Sequence, residues 1–345
     1  MTRVIFVSHE GSEDFIGGHV TQRDETVSAL LRAGVDARVG SPEEALSGGF
    51  DVVHVLGDVG RLLRLGRPDS RLVVTPIYFS RRIMLGPIVQ RPGYAHLLAK
   101  RARRRAAWLR HPRACYTRYR VFEAQLAALS SVDLIVVNSN AEAAKLRRDA
   151  RRLPPLRVAY SGVAAEMFGG DPERGRAMLG VGEEPFVLSV ARVDHNKNTL
   201  GVALAMRGLP QRLVLVGAVR PNYRRYFAAV QQVAPALVQL DHLDHDSLRH
   251  AYAAAAVHVL ASRYETTGLA TLEALAAGTA VVVGNGAPQH EYFDGCAAFC
   301  RPPSVRSIRR AIQHALEGPT GSEIARARHF SWDRTAAQLI EAYGA

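Results

Sequence analysis

Short apolar, β-branched runs alternate with longer stretches whose apolar residues recur near every 3.6 positions, along almost the whole chain. This alternation calls for parallel strands joined by crossover helices, because parallel neighbours cannot be linked by a tight turn. In the first half the strand-like runs are Val4–Ser8, Asp36–Val39, Val52–Leu56, Leu72–Thr75, Leu134–Asn138 and Arg157–Tyr160. In the second half they are Phe186–Val190, Arg212–Val216, Leu237–Leu240, Val257–Leu260 and Ala280–Val283. Helical spacing is clearest over Val20–Arg32 and Leu269–Ala277. A chain of 345 residues suits two such domains. The expected fold class is therefore α/β, with two Rossmann-like doubly wound domains over residues 1–165 and 166–330. They are joined through a Gly- and Pro-containing linker between Ser161 and Glu184, and a final helix in residues 331–345 packs back on the first domain. Ligands of such sheets bind beyond the carboxyl ends of the strands, so the two domains are expected to face a shared cleft.

Several function classes fall away on composition. No run approaches the roughly 18 apolar residues of a membrane span, and Val4–Val7 is too short for the apolar core of a signal peptide. Three cysteines, Cys115, Cys296 and Cys300, make no disulfide framework and read as buried thiols of a reducing, cytoplasmic compartment. The net charge of +12 is concentrated: Ser70 to Phe122 contains no Asp or Glu and thirteen Lys or Arg. Outside that stretch, acidic and basic residues nearly balance.

The residues that carry chemistry lie in the second half. Ser262 to Gly278 follows a strand and opens a helix near Thr267, with Glu265 in the loop and Glu273 inside the helix. Backbone amides around Thr266, Thr267, Gly268 and Leu269 at that helix terminus suit a phosphate. Two carboxylates beside a phosphate site suit hydroxyls, such as those of a sugar or a ribose. Arg192 leaves the end of a strand, and Lys197 opens the next helix. Both cations are placed to meet an anion at the same strand edge.

This arrangement resembles the retaining GT-B glycosyltransferases of the GT4 type (glycosyltransferase group 1). Their hallmark is two glutamates separated by seven residues, then an Ala-rich helix, a Gly and a buried strand. Glu265, seven residues, Glu273 and Ala276-Ala277-Gly278-Thr279-Ala280 follow that order. The resemblance implies that Glu265 contacts the transferred sugar and Glu273 the ribose, while Arg192 and Lys197 neutralise the donor diphosphate. It places Gly18, beside Gly17, near the donor phosphates, and His242 and Leu243 near the nucleobase. Glu265-Thr266-Thr267-Gly268 stands where the family has Glu-Gly-Phe-Gly, which leaves the sugar open. Tyr78 stands where many members carry a His facing the reacting sugar, and His9 is a second candidate on the acceptor side. Asp241-His242-Leu243-Asp244-His245-Asp246 tempts a metal reading, but the family generally needs no metal, so no metal or cofactor is expected.

The implied activity is transfer of a hexose from a nucleotide diphosphate sugar to a hydroxyl acceptor with retention, in glycan, glycolipid or polysaccharide synthesis. Alternatives on the same frame are a sugar-nucleotide epimerase, a phosphorylase or a degenerate polyanion-binding protein. Residues 98–120 mix Trp108, Tyr116 and Tyr119 with many cations. That mixture suits an anionic membrane surface or lipid-linked acceptor at the inner face of the membrane, each nearby cation adding about 1 kcal/mol. A solvated face is the next reading. Nucleic acid ranks last, because no recognised nucleic-acid module accompanies the charge.

Overall fold

The computed structural model describes residues 2–8, 18–77, 112–150 and 152–344. The chain forms two units, Met1–Ala159 with Ala336–Ala345, and Tyr160–Thr335. The boundary thus falls ahead of the expected residue 165.

In the first unit the strands are β1 (Arg3–Ser8), β2 (Asp36–Val39), β3 (Val52–Leu56), β4 (Arg71–Thr75), β5 (Leu134–Val137) and β6 (Leu156–Val158). They form one sheet in the order β2-β1-β3-β4-β5-β6, and every pairing is parallel. Helices α1 (Gly18–Arg32), α2 (Pro42–Leu46), α3 (Gly60–Leu65), α4 (Pro112–Leu129) and α5 (Asn140–Asp149) connect them. A strand covered on both faces has no wet side, which is why all five residues of β3 are buried and four of them are apolar. The fifth is His54. Its Nε2 lies 2.8 Å from Thr75 Oγ1, and its ring stacks on Phe6 with centroids 4.7 Å apart.

The second unit contains β7 (Phe186–Val190), β8 (Arg212–Val216), β9 (Val238–Leu240), β10 (Val257–Leu260), β11 (Ala280–Gly284) and β12 (Ala298–Cys300). The order is β12-β11-β10-β7-β8-β9, again wholly parallel. The chain winds outward from β7 to β9, then returns to place β10 on the other side of β7. The loops after β7 and β10 therefore leave the sheet at a topological switch point, where open α/β sheets take their ligands. Successive residues of each strand feed two cores: Leu188 and Val214 lie in one, Val187 and Leu213 in the other. The helices are α6 (Pro172–Leu179), α7 (Thr199–Met206), α8 (Arg224–Val233), α9 (His245–Ala254), α10 (Leu269–Ala276), α11 (Ala287–Phe293), α12 (Val305–Ala315), α13 (Glu323–Arg328) and α14 (Trp332–Gly344). Helix α14 starts in the second unit and ends among the residues of the first.

Two sequence expectations need correcting. The stretch Ser161–Glu184 is not a plain linker, because α6 occupies its middle. Asp171 caps that helix through bonds of 3.0 and 3.2 Å from the amides of Glu173 and Arg174, and Pro172 opens it. Its glycine serves packing: a Cβ on Gly175 would sit 2.1 Å from the carbonyl oxygen of His250 on α9. The short edge strand β12 was also unforeseen. Cys296 and Cys300 are buried and unbridged as expected, and burial pushes their thiols up to about 11 and about 12. The side chain of Cys115 lies outside the described residues.

Candidate active site

The loop after β7 is held from below by backbone bonds, Ala191 N to Val216 O at 2.9 Å and Val193 N to Ala218 O at 3.2 Å. It passes so close to the end of β8 that a Cβ on Gly217 would lie 2.1 Å from the Ala191 carbonyl oxygen. Asp194 then closes the turn, its carboxylate accepting from the Lys197 amide at 2.7 Å. Asn198 takes a left-handed conformation (φ 60°), which Asn tolerates better than most residues. Its side-chain amide donates to Ala261 O at 3.3 Å and Pro302 O at 2.8 Å, tying this loop to those after β10 and β12. The loops after β7 and β10 are also joined reciprocally. Arg263 N donates to Asn196 O at 2.7 Å, Asn196 Nδ2 to Tyr264 O at 3.0 Å, and Arg263 Nε to His195 O at 3.2 Å.

This bracing brings Lys197 and Glu265 into direct contact as an ion pair, with side chains only 20% and 14% exposed. A pair so sheltered interacts more strongly than one on an open surface, and removing one partner strands the other. Arg192 stands on the same loop, 41% exposed, its guanidinium 4.0 Å from the Asp194 carboxylate. The neighbouring His195 ring lies against Tyr226 and Tyr223, at 4.3 and 5.6 Å. Burial, helped by the Arg263 charge, lowers its pKa from the usual imidazole value.

The two helices at this edge begin later than expected, at Thr199 and Leu269 rather than at Lys197 and Thr267. In each case a left-handed residue comes first: Asn198, and Gly268 with φ 88°. No side chain caps α10, and the first-turn amides of any helix lack partners within it. They present donors and a positive dipole end at the switch point. Thr267 is buried, and its hydroxyl lies 3.1 Å from that of Ser161, whose amide donates to the Tyr292 hydroxyl at 3.0 Å. The Thr267 side chain is thus committed inward, and what it offers a ligand is its backbone. Thr266 and Leu269 are half-buried, and Leu269 packs on the core. Glu273, in the second turn of α10, accepts a 2.8 Å bond from the Tyr252 hydroxyl.

Two other expected residues follow β9 in the same unit. His242 is exposed after β9, and Leu243 packs on the core. Among the described residues, no hydrogen bond or ion pair joins either one to Lys197 or Glu265. Gly18 opens α1 of the first unit, while Tyr78, His9 and most of residues 98–120 lie outside the described residues. The Asp241–Asp246 run has a structural role. Asp244 caps α9 by accepting from Ser247 N at 2.7 Å, and Asp246 pairs with Arg174 and Arg249 at 2.9 and 2.7 Å. Among the described residues no group of three His, Cys, Asp or Glu side chains could hold a metal ion. Sequence reasoning missed Asp194, Asn198 and Tyr252. An Asp three residues before Lys197 was a visible turn signal, and a buried Tyr always needs a partner for its hydroxyl.

Residues 174–330 match the family described as Glycosyl transferases group 1. A D-inositol 3-phosphate glycosyltransferase from Saccharomonospora viridis is 26% identical, covering 96% of this chain and 90% of its own. Other curated glycosyltransferases align over 29% to 58% of their own length. Among solved structures, sucrose-phosphate synthase from Thermosynechococcus elongatus superposes with a TM-score of 0.79 at 20% identity, covering 100% of this chain and 98% of that one. Anabaena HepE in complex with UDP-glucose superposes with a TM-score of 0.74 at 15% identity over 100% of both chains. Residues 174–330 thus resemble a glycosyl transferases group 1 domain, and the chain shares the fold of these solved structures, α/β with two Rossmann-like parallel sheets.

Proposed function

We propose that the chain moves a hexose from a nucleoside diphosphate sugar to a hydroxyl acceptor, with retention at the anomeric carbon and without a metal ion. The observation that carries this reading is the Lys197–Glu265 contact at the β7/β10 switch point, beside the uncapped N-terminus of α10. A cation and a carboxylate braced together there offer one group for a phosphate and one for sugar hydroxyls. The sugar–diphosphate C1–O bond breaks, the acceptor oxygen bonds to C1, and the acceptor proton leaves with the nucleoside diphosphate. Negative charge grows on the diphosphate as that bond breaks, so Arg192, Lys197 and the α10 amides stabilise the transition state more than the ground state. Glu265 positions the sugar, Glu273 the ribose, and His242 with Leu243 flank the base. That Anabaena HepE was solved with UDP-glucose supports a sugar nucleotide of this kind.

The acceptor is assigned to the first unit, with Tyr78 and His9 as its candidate contacts. The cationic residues 98–120 suit a lipid-linked acceptor on an anionic membrane at its inner face.

The test is a panel of UDP-, GDP- and ADP-sugars screened by thermal shift, since a ligand of the native state raises the melting temperature. The stabilising donor is then supplied, labelled in its sugar, with and without acceptor and in EDTA. Acceptor-dependent transfer with unchanged anomeric configuration is expected, insensitive to EDTA. A panel without any shift would overturn the proposal, and so would an epimerised donor recovered in the absence of acceptor.

A further inference from the structure

Tyr252 lies on α9 with no exposed surface, inside an Ala-rich stretch. A phenol buried there must find a partner for its hydroxyl. It could have used a backbone carbonyl. It bonds instead to Oε2 of Glu273, on a different helix. The residue is held at its ring and at its backbone. His258 of β10 meets it edge-on at 5.5 Å, and the Tyr252 carbonyl oxygen accepts from Thr279 Oγ1 at 2.7 Å. Thr279 is fixed in turn through its own amide to Ala274 O on α10, at 3.0 Å. Burial, with the Glu273 carboxylate beside it, raises the phenol well above its ordinary pKa, so it remains a donor at every working pH.

Glu273 is a long side chain, and fixing such a side chain on ligand binding costs conformational entropy. A donor fixed in the core sets the carboxylate's position beforehand, through a charge-assisted bond of the stronger kind. We infer that Tyr252 is a positioning residue for the nucleotide half of the donor, acting through Glu273 on the ribose hydroxyls. The inference rests on the proposed function, and specifically on Glu273 as the ribose contact.

The experiment measures nucleotide affinity by calorimetry on the full chain. It uses whichever of UDP, GDP or ADP binds most tightly, together with that nucleotide's 2′,3′-dideoxy analogue. For Tyr252→Phe, the ribonucleotide Kd should rise about tenfold while the dideoxy Kd changes less than twofold, with kcat at saturating donor nearly kept. Glu273→Gln should show the same selective loss. If Tyr252→Phe binds both nucleotides as the native chain does while Glu273→Gln loses the ribonucleotide, the inference fails and the donor reading stands. Equal losses for both nucleotides in Tyr252→Phe would mean general loosening of the core, which also overturns it. If Glu273→Gln binds both nucleotides normally, the donor reading itself fails. Should Tyr252→Phe not fold, Glu273→Asp keeps the charge but draws it back from the phenol. It should then reproduce the ribose-selective loss, and an unchanged ribonucleotide Kd would overturn the inference.

Discussion

The Nδ1 atom of His54 lies 2.6 Å from the hydroxyl of Tyr343, joining β3 to the end of α14 across 289 residues of sequence. With Thr75 on the other ring nitrogen, both nitrogens of this buried ring are engaged. Arg71 adds a 2.5 Å bond to the Tyr343 carbonyl oxygen. The end of the chain is thereby stitched into the middle of the first sheet.

Tyr343→Phe should leave a His54 nitrogen unsatisfied in the core, at a cost of about 1–3 kcal/mol. A chain stopped after Thr335 should lose more, since it also exposes the sheet where Leu339, Ala342 and Tyr343 are buried. Urea unfolding followed by tryptophan fluorescence measures both. A Tyr343→Phe midpoint equal to that of the native chain would show that the hydroxyl contributes nothing.

Acid should destabilise the fold through two histidines. Burial holds His54 and His258 at about 3, against an unfolded value near 6.5. Below pH 6.5 the unfolded chain binds protons that the folded chain refuses, so the stability present above that pH is lost as pH falls toward 3. Each ring contributes up to about 1.4 kcal/mol per pH unit across that window. Neither ring nitrogen of His258 meets a hydrogen-bonding group among the described residues. His258→Leu should therefore keep or raise the melting temperature at pH 7.5 and flatten its fall between pH 6.5 and 4.5. An unchanged slope would contradict a neutral, buried His258.

Lys197→Ala and Arg192→Ala should each lower kcat of the proposed transfer by about one to three orders of magnitude, because their charge matters most as the diphosphate departs. Glu265→Gln should damage turnover while leaving nucleoside diphosphate affinity within about threefold, since its assigned contact is the sugar. Steady-state kinetics beside calorimetry separates the two patterns. Near-native turnover in both cation variants would remove their assigned role.

Gly217→Ala should be among the most damaging small substitutions, since its methyl would overlap the Ala191 carbonyl at 2.1 Å. The loop that carries Arg192 and Lys197 would have to move. Gly182→Ala, with nothing within 4 Å of the added atom, is the matched control. Differential scanning calorimetry should show a drop of several degrees for the first and little for the second. Equal melting temperatures would mean that the backbone crossing is looser than described.

The strands were readable because a sheet covered on both faces writes itself as unbroken apolar runs. Val257–Leu260 and Ala280–Gly284 show this despite the His inside the first. Glycine misled in the other direction: the Gly- and Pro-containing stretch between Ser161 and Glu184 read as linker, whereas Gly170 and Gly175 within it let α6 lie against α9. Lys197 and Glu265 were each legible as candidate site residues from their local settings. Their contact was not, because it depends on how two loops 68 residues apart leave the sheet. Tyr252 was invisible for a related reason. Periodicity marks it as core, and only the fold reveals what its hydroxyl reaches.

Asn198 has one further consequence. A single side-chain amide clasps the carbonyls that follow β10 and β12 while its own backbone turns the corner after β7. Three segments so knotted cannot change length independently, because an insertion in one would pull the other two out of register. Variation in what this edge of the sheet recognises must therefore come from exchanging side chains on a fixed track, and engineered lengthening of any one of the three should unfasten all of them.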